Sequence, residues 1–240
     1  MEGEKTIPHD IIISKMIKQV LFDNKVEVGI SEIGDGSMRF FGEGDEVEII
    51  RNQRKLSRLI GVDDVVRVRT VYDGRDTFTE YYEITKDNAL DYSIDNPEKE
   101  IPVSDGLVTK EPEIGILLPL ADCLGAVVFD EKQGLVGLLH AGRQNIEQDG
   151  PKKFIEYLVN SCGSDVKDIK LFFSPYALNY HITKLNKTMT EAAREQFIGA
   201  GVLSDNMIDP GIDTVSNERY PSRSGGDMTE RFAVVVKLRR

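Results

Sequence analysis

The chain has 240 residues, with 41 Asp and Glu against 30 Lys and Arg, a formal net charge of −11 and 40% hydrophobic residues. So acidic a surface argues against nonspecific binding to nucleic acid or to an anionic membrane, which needs a basic face, and the apolar fraction excludes wholesale disorder. Two Cys cannot build a disulfide framework, no apolar run approaches a membrane span, and Met1-Glu2-Gly3-Glu4-Lys5 is too polar to open a signal peptide; a reducing cytoplasm is the expected compartment.

Residues 1–24 read as an N-terminal extension to a single domain over 1–240, since no repeat and no compositional break marks a boundary. A strand is expected at Val26–Ile30. A helix follows from Asp45, with Glu48 three residues on as a capping box and Val47, Ile50, Leu56, Leu59 and Ile60 apolar before Gly61. Strands are expected at Val65–Tyr72 and Thr77–Ile84, then a loop from Asp87 to Pro102. Further strands fall at Gly115–Pro119, Gly125–Phe129 and Leu135–His140, the last two joined by a hairpin turn at Asp130-Glu131-Lys132-Gln133-Gly134. A second helix begins near Pro151, carries Phe154, Ile155, Leu158 and Val159, and ends at Gly163. A strand at Ile169–Phe173 precedes a third helix, boxed by Thr188 and Glu191 and ending near Gly199 or Gly201. Asn217–Thr229 reads as a loop and Phe232–Leu238 as the last strand. Hairpins among so many strands predict an α/β fold with a mixed sheet and helices outside it.

The chemistry concentrates at Leu117-Leu118-Pro119-Leu120-Ala121-Asp122-Cys123 and Gly134-Leu135-Val136-Gly137-Leu138-Leu139-His140-Ala141-Gly142. The hairpin between them brings Cys123 close to His140. A thiol and an imidazole so placed can share a metal or act as nucleophile and base. The chain has only three His and two Cys; Cys162, in a helix-end context, reads as structural. Arg39, Arg143, Arg223 and Arg231 are candidates for binding an anion, because a guanidinium matches phosphate bidentately.

Val103-Ser104-Asp105-Gly106-Leu107-Val108-Thr109, Ala121-Asp122-Cys123-Leu124 and His140-Ala141-Gly142 together resemble the YfiH/YlmD family, long labelled laccase-domain or polyphenol oxidase proteins. Asn52-Gln53-Arg54-Lys55-Leu56, Gly163-Ser164-Asp165 through Phe173-Ser174-Pro175, and Tyr220-Pro221-Ser222-Arg223 with Glu230-Arg231-Phe232 extend the resemblance over about residues 25–240. It implies two β layers flanked by helices, a zinc site held by His, Cys and His, and purine nucleoside phosphorolysis or deamination. The partners implied are a nucleoside and phosphate, with the protein a monomer or homodimer. The same fold is similar to toxin deamidases that use a Cys–His pair.

This chain departs from that pattern. Where the family has its first zinc-ligating His, Thr70-Val71-Tyr72-Asp73-Gly74 places Tyr72. His9 and His181 do not match a ligand position. The family's Trp-Arg after H-A-G reads Arg143-Gln144-Asn145 here. Catalytic zinc takes three protein ligands plus water; Cys123 and His140 supply two, and Tyr72, Asp73 or Asp122 stands open as the third. Three readings follow. One is a purine nucleoside phosphorylase-type enzyme with catalytic Cys123, His140 and Asp122 and with Arg143, Tyr72, Arg39 and Arg231 at the substrate. Another is a non-catalytic member that keeps the pocket for a nucleoside or partner. The third is a Cys123–His140 thiol hydrolase or deamidase. Multicopper oxidation is discounted, because three His cannot build the copper centres.

Overall fold

The computed structural model describes residues 16–39, 46–72 and 74–239, and its principal strands sort into two mixed sheets. The first sheet contains β1 (Ile17–Leu21), β2 (Val26–Ile30), β3 (Asp64–Arg67), β6 (Ile114–Leu120) and β13 (Phe232–Leu238), in the order β1-β2-β13-β6-β3. The second contains β4 (Tyr81–Ile84), β5 (Gly106–Thr109), β7 (Leu124–Asp130), β8 (Leu135–Ala141), β9 (Ile169–Phe173) and β12 (Met207–Ile208), in the order β12-β9-β7-β8-β5-β4. A small hairpin, β10 (His181–Ile182) with β11 (Lys187–Thr188), stands apart from both. The helices are α1 (Glu46–Leu59), α2 (Arg143–Glu147), α3 (Gly150–Cys162) and α4 (Met189–Gly199).

Successive side chains on a strand point to opposite faces, and this alternation separates three cores. Ile116, Leu118, Val234 and Val236 of the first sheet pack with Val127, Phe129, Val136 and Leu138 of the second. Leu117 and Val235, one residue out of phase, pack with Leu56 and Ile60 at the α1 side. On the far face of the second sheet, Ala126, Val128 and Leu139 meet Phe154 and Leu158 of α3 and Phe197 of α4. The layers therefore run helix, sheet, sheet, helix. This is why β6, β7 and β8 are buried along their whole length and, Asp130 and His140 apart, carry apolar residues instead of alternating: both of their faces are covered.

Local signals account for the helices. Pro151 sits in the first turn of α3, and Gly163 closes it in the left-handed region at φ 79°, its N–H donating to Leu158 O. The Thr188–Glu191 capping box opens α4, with Glu191 Oε2 accepting from Thr188 N at 2.8 Å. Asp45, the expected cap of α1, lies outside the described residues.

Some expectations are corrected. The Val65–Tyr72 strand stops at Arg67 as a ladder, because after Val68 N donates to Leu117 O the chain bends toward Ser104, whose N–H donates to Arg69 O. Thr77–Ile84 shortens to Tyr81–Ile84, since Phe78 N donates to the Gln148 side chain and Glu80 N to Asp105. Ile17–Leu21, inside the stretch read as an extension, pairs antiparallel with β2 as the edge of the first sheet. The 87–102 loop contains two short 3-10 turns, Ala89–Tyr92 and Glu98–Glu100.

Candidate functional site

The chain crosses from the first sheet to the second between β6 and β7, through Ala121-Asp122-Cys123. Asp122 adopts φ 71°, a left-handed conformation that Asp tolerates better than most residues. Cys123 precedes β7, and the β7–β8 register sets Gly125 opposite His140. Gly142 fixes how closely thiol and imidazole approach. A Cβ there would lie 2.6 Å from His140 Cε1, 3.0 Å from Nε2 and 3.3 Å from Cys123 Sγ, so both side chains close over a position only glycine fits.

Tyr72 completes the floor. Its hydroxyl lies 3.4 Å from His140 Nε2. Its ring stacks on Phe78 with centroids 6.0 Å apart, and the Arg75 guanidinium covers Phe78 at 4.3 Å. Arg75 in turn holds the buried Asp105 with both terminal nitrogens, at 2.6 and 3.2 Å. The backbone carbonyl of Asp105 accepts from His140 N at 2.8 Å. Asp105 thus supports His140 directly and Tyr72 through Arg75 and Phe78. Sequence reasoning missed this array, although Asp105 stands in one of the quoted motifs.

The Asp122 carboxylate is buried and occupied. Oδ1 accepts from Thr214 Oγ1 at 2.8 Å and from Ser222 Oγ at 2.7 Å, and Oδ2 accepts from Ser224 N at 2.6 Å. These bonds hold the loop that carries Arg223, which makes Asp122 a positioning group in this geometry.

Above this floor opens a cleft of about 1010 Å³, lined by Tyr72, Asp122, Cys123 and His140 and by Arg39, Arg143, Arg223 and Arg231. Lys184 and His181, from the β10–β11 hairpin, line it as well. Arg39 donates to Thr70 O at 2.7 Å and pairs with Glu98 at 3.0 Å. Arg143 opens α2 and pairs with Glu147 one turn on, at 3.6 Å. Arg231 is buried; burial lowers its pKa, and the like charges of Arg39 and Arg223 add to the shift. Arg39 and Arg223 therefore stand near enough to act on Arg231, with Asp227 partly offsetting them. Asp73 and His9 lie outside the described residues.

The resting protonation states follow from burial. The Cys123 thiol is pushed up to about 11 by burial, with Asp122 beside it adding to the shift. His140 is lowered to about 3 by burial, with Arg39 and Arg75 adding. The Tyr72 hydroxyl is raised by burial and by Cys123, even though 45% of the residue's surface is exposed, because its hydroxyl end points at His140. At neutral pH the thiol, imidazole and phenol are all uncharged. A thiolate–imidazolium pair is therefore not the resting state, and it is what a thiol hydrolase needs. As a zinc site the donor set is incomplete. A neutral imidazole suits the metal, but among the described residues no three His, Cys, Asp or Glu side chains gather where they could hold one. The position of the third ligand is filled by a protonated phenol. Among the described residues, those at the site do not fit a three-ligand zinc.

Known proteins resemble this chain in sequence and in fold. A family model described as multi-copper polyphenol oxidoreductase laccase matches residues 34–183. A purine nucleoside phosphorylase of Mycobacterium tuberculosis is 26% identical over 153 residues, 62% of this chain and 55% of that protein. One of Campylobacter jejuni is 26% identical over 152 residues, 56% of this chain and 67% of its own length. The chain thus spans about half the length of the mycobacterial relative it matches. Among solved structures, YlmD from Geobacillus stearothermophilus superimposes with a TM-score of 0.77 at 19% identity, over 90% of this chain and 93% of that one. Bacillus licheniformis YfiH gives 0.73 at 18%, over 89% and 93%. At such identities the likeness establishes the fold. With the family model covering well over half of its length, the chain belongs to the multi-copper polyphenol oxidoreductase laccase family and has the fold of YfiH and YlmD.

Proposed function

We propose that this chain is a purine nucleoside enzyme of the phosphorylase type, taking a nucleoside and inorganic phosphate together in the cleft. One observation carries the reading: Arg39, Arg143, Arg223 and Arg231 reach the same cleft as Cys123, His140 and Tyr72 in a protein of net charge −11. An acidic chain that gathers four guanidinium groups in one pocket has built a place for an oxyanion. The cleft is ample for a small ligand, and the relatives named above carry the phosphorylase name.

In this reading the arginines hold phosphate against the ribose. A phosphate oxygen bonds to the sugar C1′, and the C1′–N9 bond breaks with its electron pair going to the purine. The purine takes up a proton, balanced by the one phosphate loses in forming the sugar phosphate. Tyr72 keeps its proton at neutral pH and faces His140, so its hydroxyl is a hydrogen-bonding group at the floor of the cleft. The test is release of free base from adenosine and inosine, with and without phosphate, followed by chromatography. Phosphate-dependent release that Arg231→Met and Cys123→Ala abolish is expected.

A second reading, binding without turnover, is favoured by Tyr72 standing where the resemblance expects a histidine. It predicts no base release but a rise in melting temperature with nucleoside and phosphate. Neither release nor a thermal shift would sink both readings.

A further inference from the structure

We infer that the Cys123–His140 centre of this chain operates without a resident metal, because the Tyr72 hydroxyl holds the place from which a third ligand would complete the site. The atoms with which Cys123 and His140 would hold a metal are Sγ and Nε2. Both atoms face the space over Gly142, 3.3 and 3.0 Å from where a Cβ there would lie. The third group facing Nε2 is the Tyr72 oxygen, at 3.4 Å. Zinc sites take Cys, His, Asp or Glu; a phenol must lose its proton first.

Tyr72 is also held in place. Its ring stacks on Phe78, which the Arg75 guanidinium caps, and Arg75 is anchored by buried Asp105. The carboxylate beside the thiol offers no substitute, since Asp122 accepts three hydrogen bonds from Thr214, Ser222 and Ser224. His181 lines the same cleft, yet no third His, Cys, Asp or Glu joins Cys123 and His140 among the described residues. What stands in the third place is the Tyr72 hydroxyl, 3.4 Å from His140 Nε2.

The test measures metal, not turnover. Wild type, Tyr72→His and Tyr72→Asp are produced in zinc-supplemented medium and dialysed, and zinc per chain is measured by mass spectrometry. Wild type should retain only traces, and at least one of the two variants should retain one zinc per chain, lost again when Cys123→Ser is added. The aspartate variant guards against the histidine failing to fold, with melting curves as the check. One zinc per wild-type chain would overturn the inference. So would folded variants of both kinds that take up none, because Tyr72 would then not be the obstacle. The inference concerns the floor of the cleft proposed for nucleosides, and the two fail separately. Zinc in wild type together with base release defeats only the metal-free centre; trace zinc with no release and no thermal shift defeats only the nucleoside reading.

Discussion

Ser222 Oγ lies 2.7 Å from Asp122 Oδ1, a contact between residues one hundred positions apart that ties the loop before β13 to the crossover between the sheets. Replacing Asp122 by Ala strips the acceptor from two hydroxyls and one backbone N–H. The expected loss is about 3 kcal/mol of stability, measured by urea unfolding. Asp122→Asn tolerates the same left-handed backbone and keeps one acceptor, so it should lose less. If alanine and asparagine cost the same, the hydrogen bonds are not what Asp122 contributes.

Asp105 and Arg75 form a pair whose carboxylate is almost fully buried. Removing one charge leaves the other without its partner. Asp105→Asn should destabilise by about 3 kcal/mol and disturb the Tyr72–His140 contact, visible as a shifted His140 imidazole signal in NMR. An unchanged signal would disconnect this pair from the site.

His140 gives a pH dependence whose sign follows from its burial. Its pKa is lowered to about 3 in the folded chain, against an ordinary value of about 6.5. As pH falls through the ordinary value, the unfolded chain takes up a proton that the folded one refuses. This contribution therefore falls away with acidification between about 6.5 and 3, by at most about 1.4 kcal/mol per pH unit. Between pH 7 and pH 5, His140→Asn should lose less stability than wild type. An equal loss would mean that other groups carry the whole effect.

A methyl at Gly142 has no room beside His140 Cε1, 2.6 Å away. Gly142→Ala should cost about 1–3 kcal/mol as overpacking and move the imidazole off Cys123. The expected readout is faster alkylation of Cys123 by iodoacetamide than in wild type, where the thiol is partly buried and neutral. Unchanged reactivity would show that the site absorbs the methyl.

The framework of this fold is plain in the sequence where short-range rules act. The Asp130–Gly134 turn joins β7 to β8 as read, and with it Cys123 meets His140. Capping groups at Pro151, Gly163, Thr188 and Glu191 place α3 and α4. Short elements escape: α2 has five residues and β5 four, too few for a period to show. At the site, the four arginines were visible as cations, but no spacing predicts their meeting. They come from a loop after β2, the start of α2, the Asn217–Thr229 loop and the residue before β13. The role of Asp122 was hidden for the same reason, since Thr214 and Ser222 stand 92 and 100 residues away along the chain.

The crossover at Ala121-Asp122-Cys123 has a mechanical side. Arg231 stands just before β13 and Arg39 in the loop after β2, both on the first-sheet side, while His140 near the end of β8 and Arg143 just after that strand come from the second. A molecule seated between them fastens one sheet to the other like a clasp. Its occupancy would then be recorded far from the cleft: backbone amides of β2 and β8, on separate sheets, should slow their exchange with solvent together when it binds.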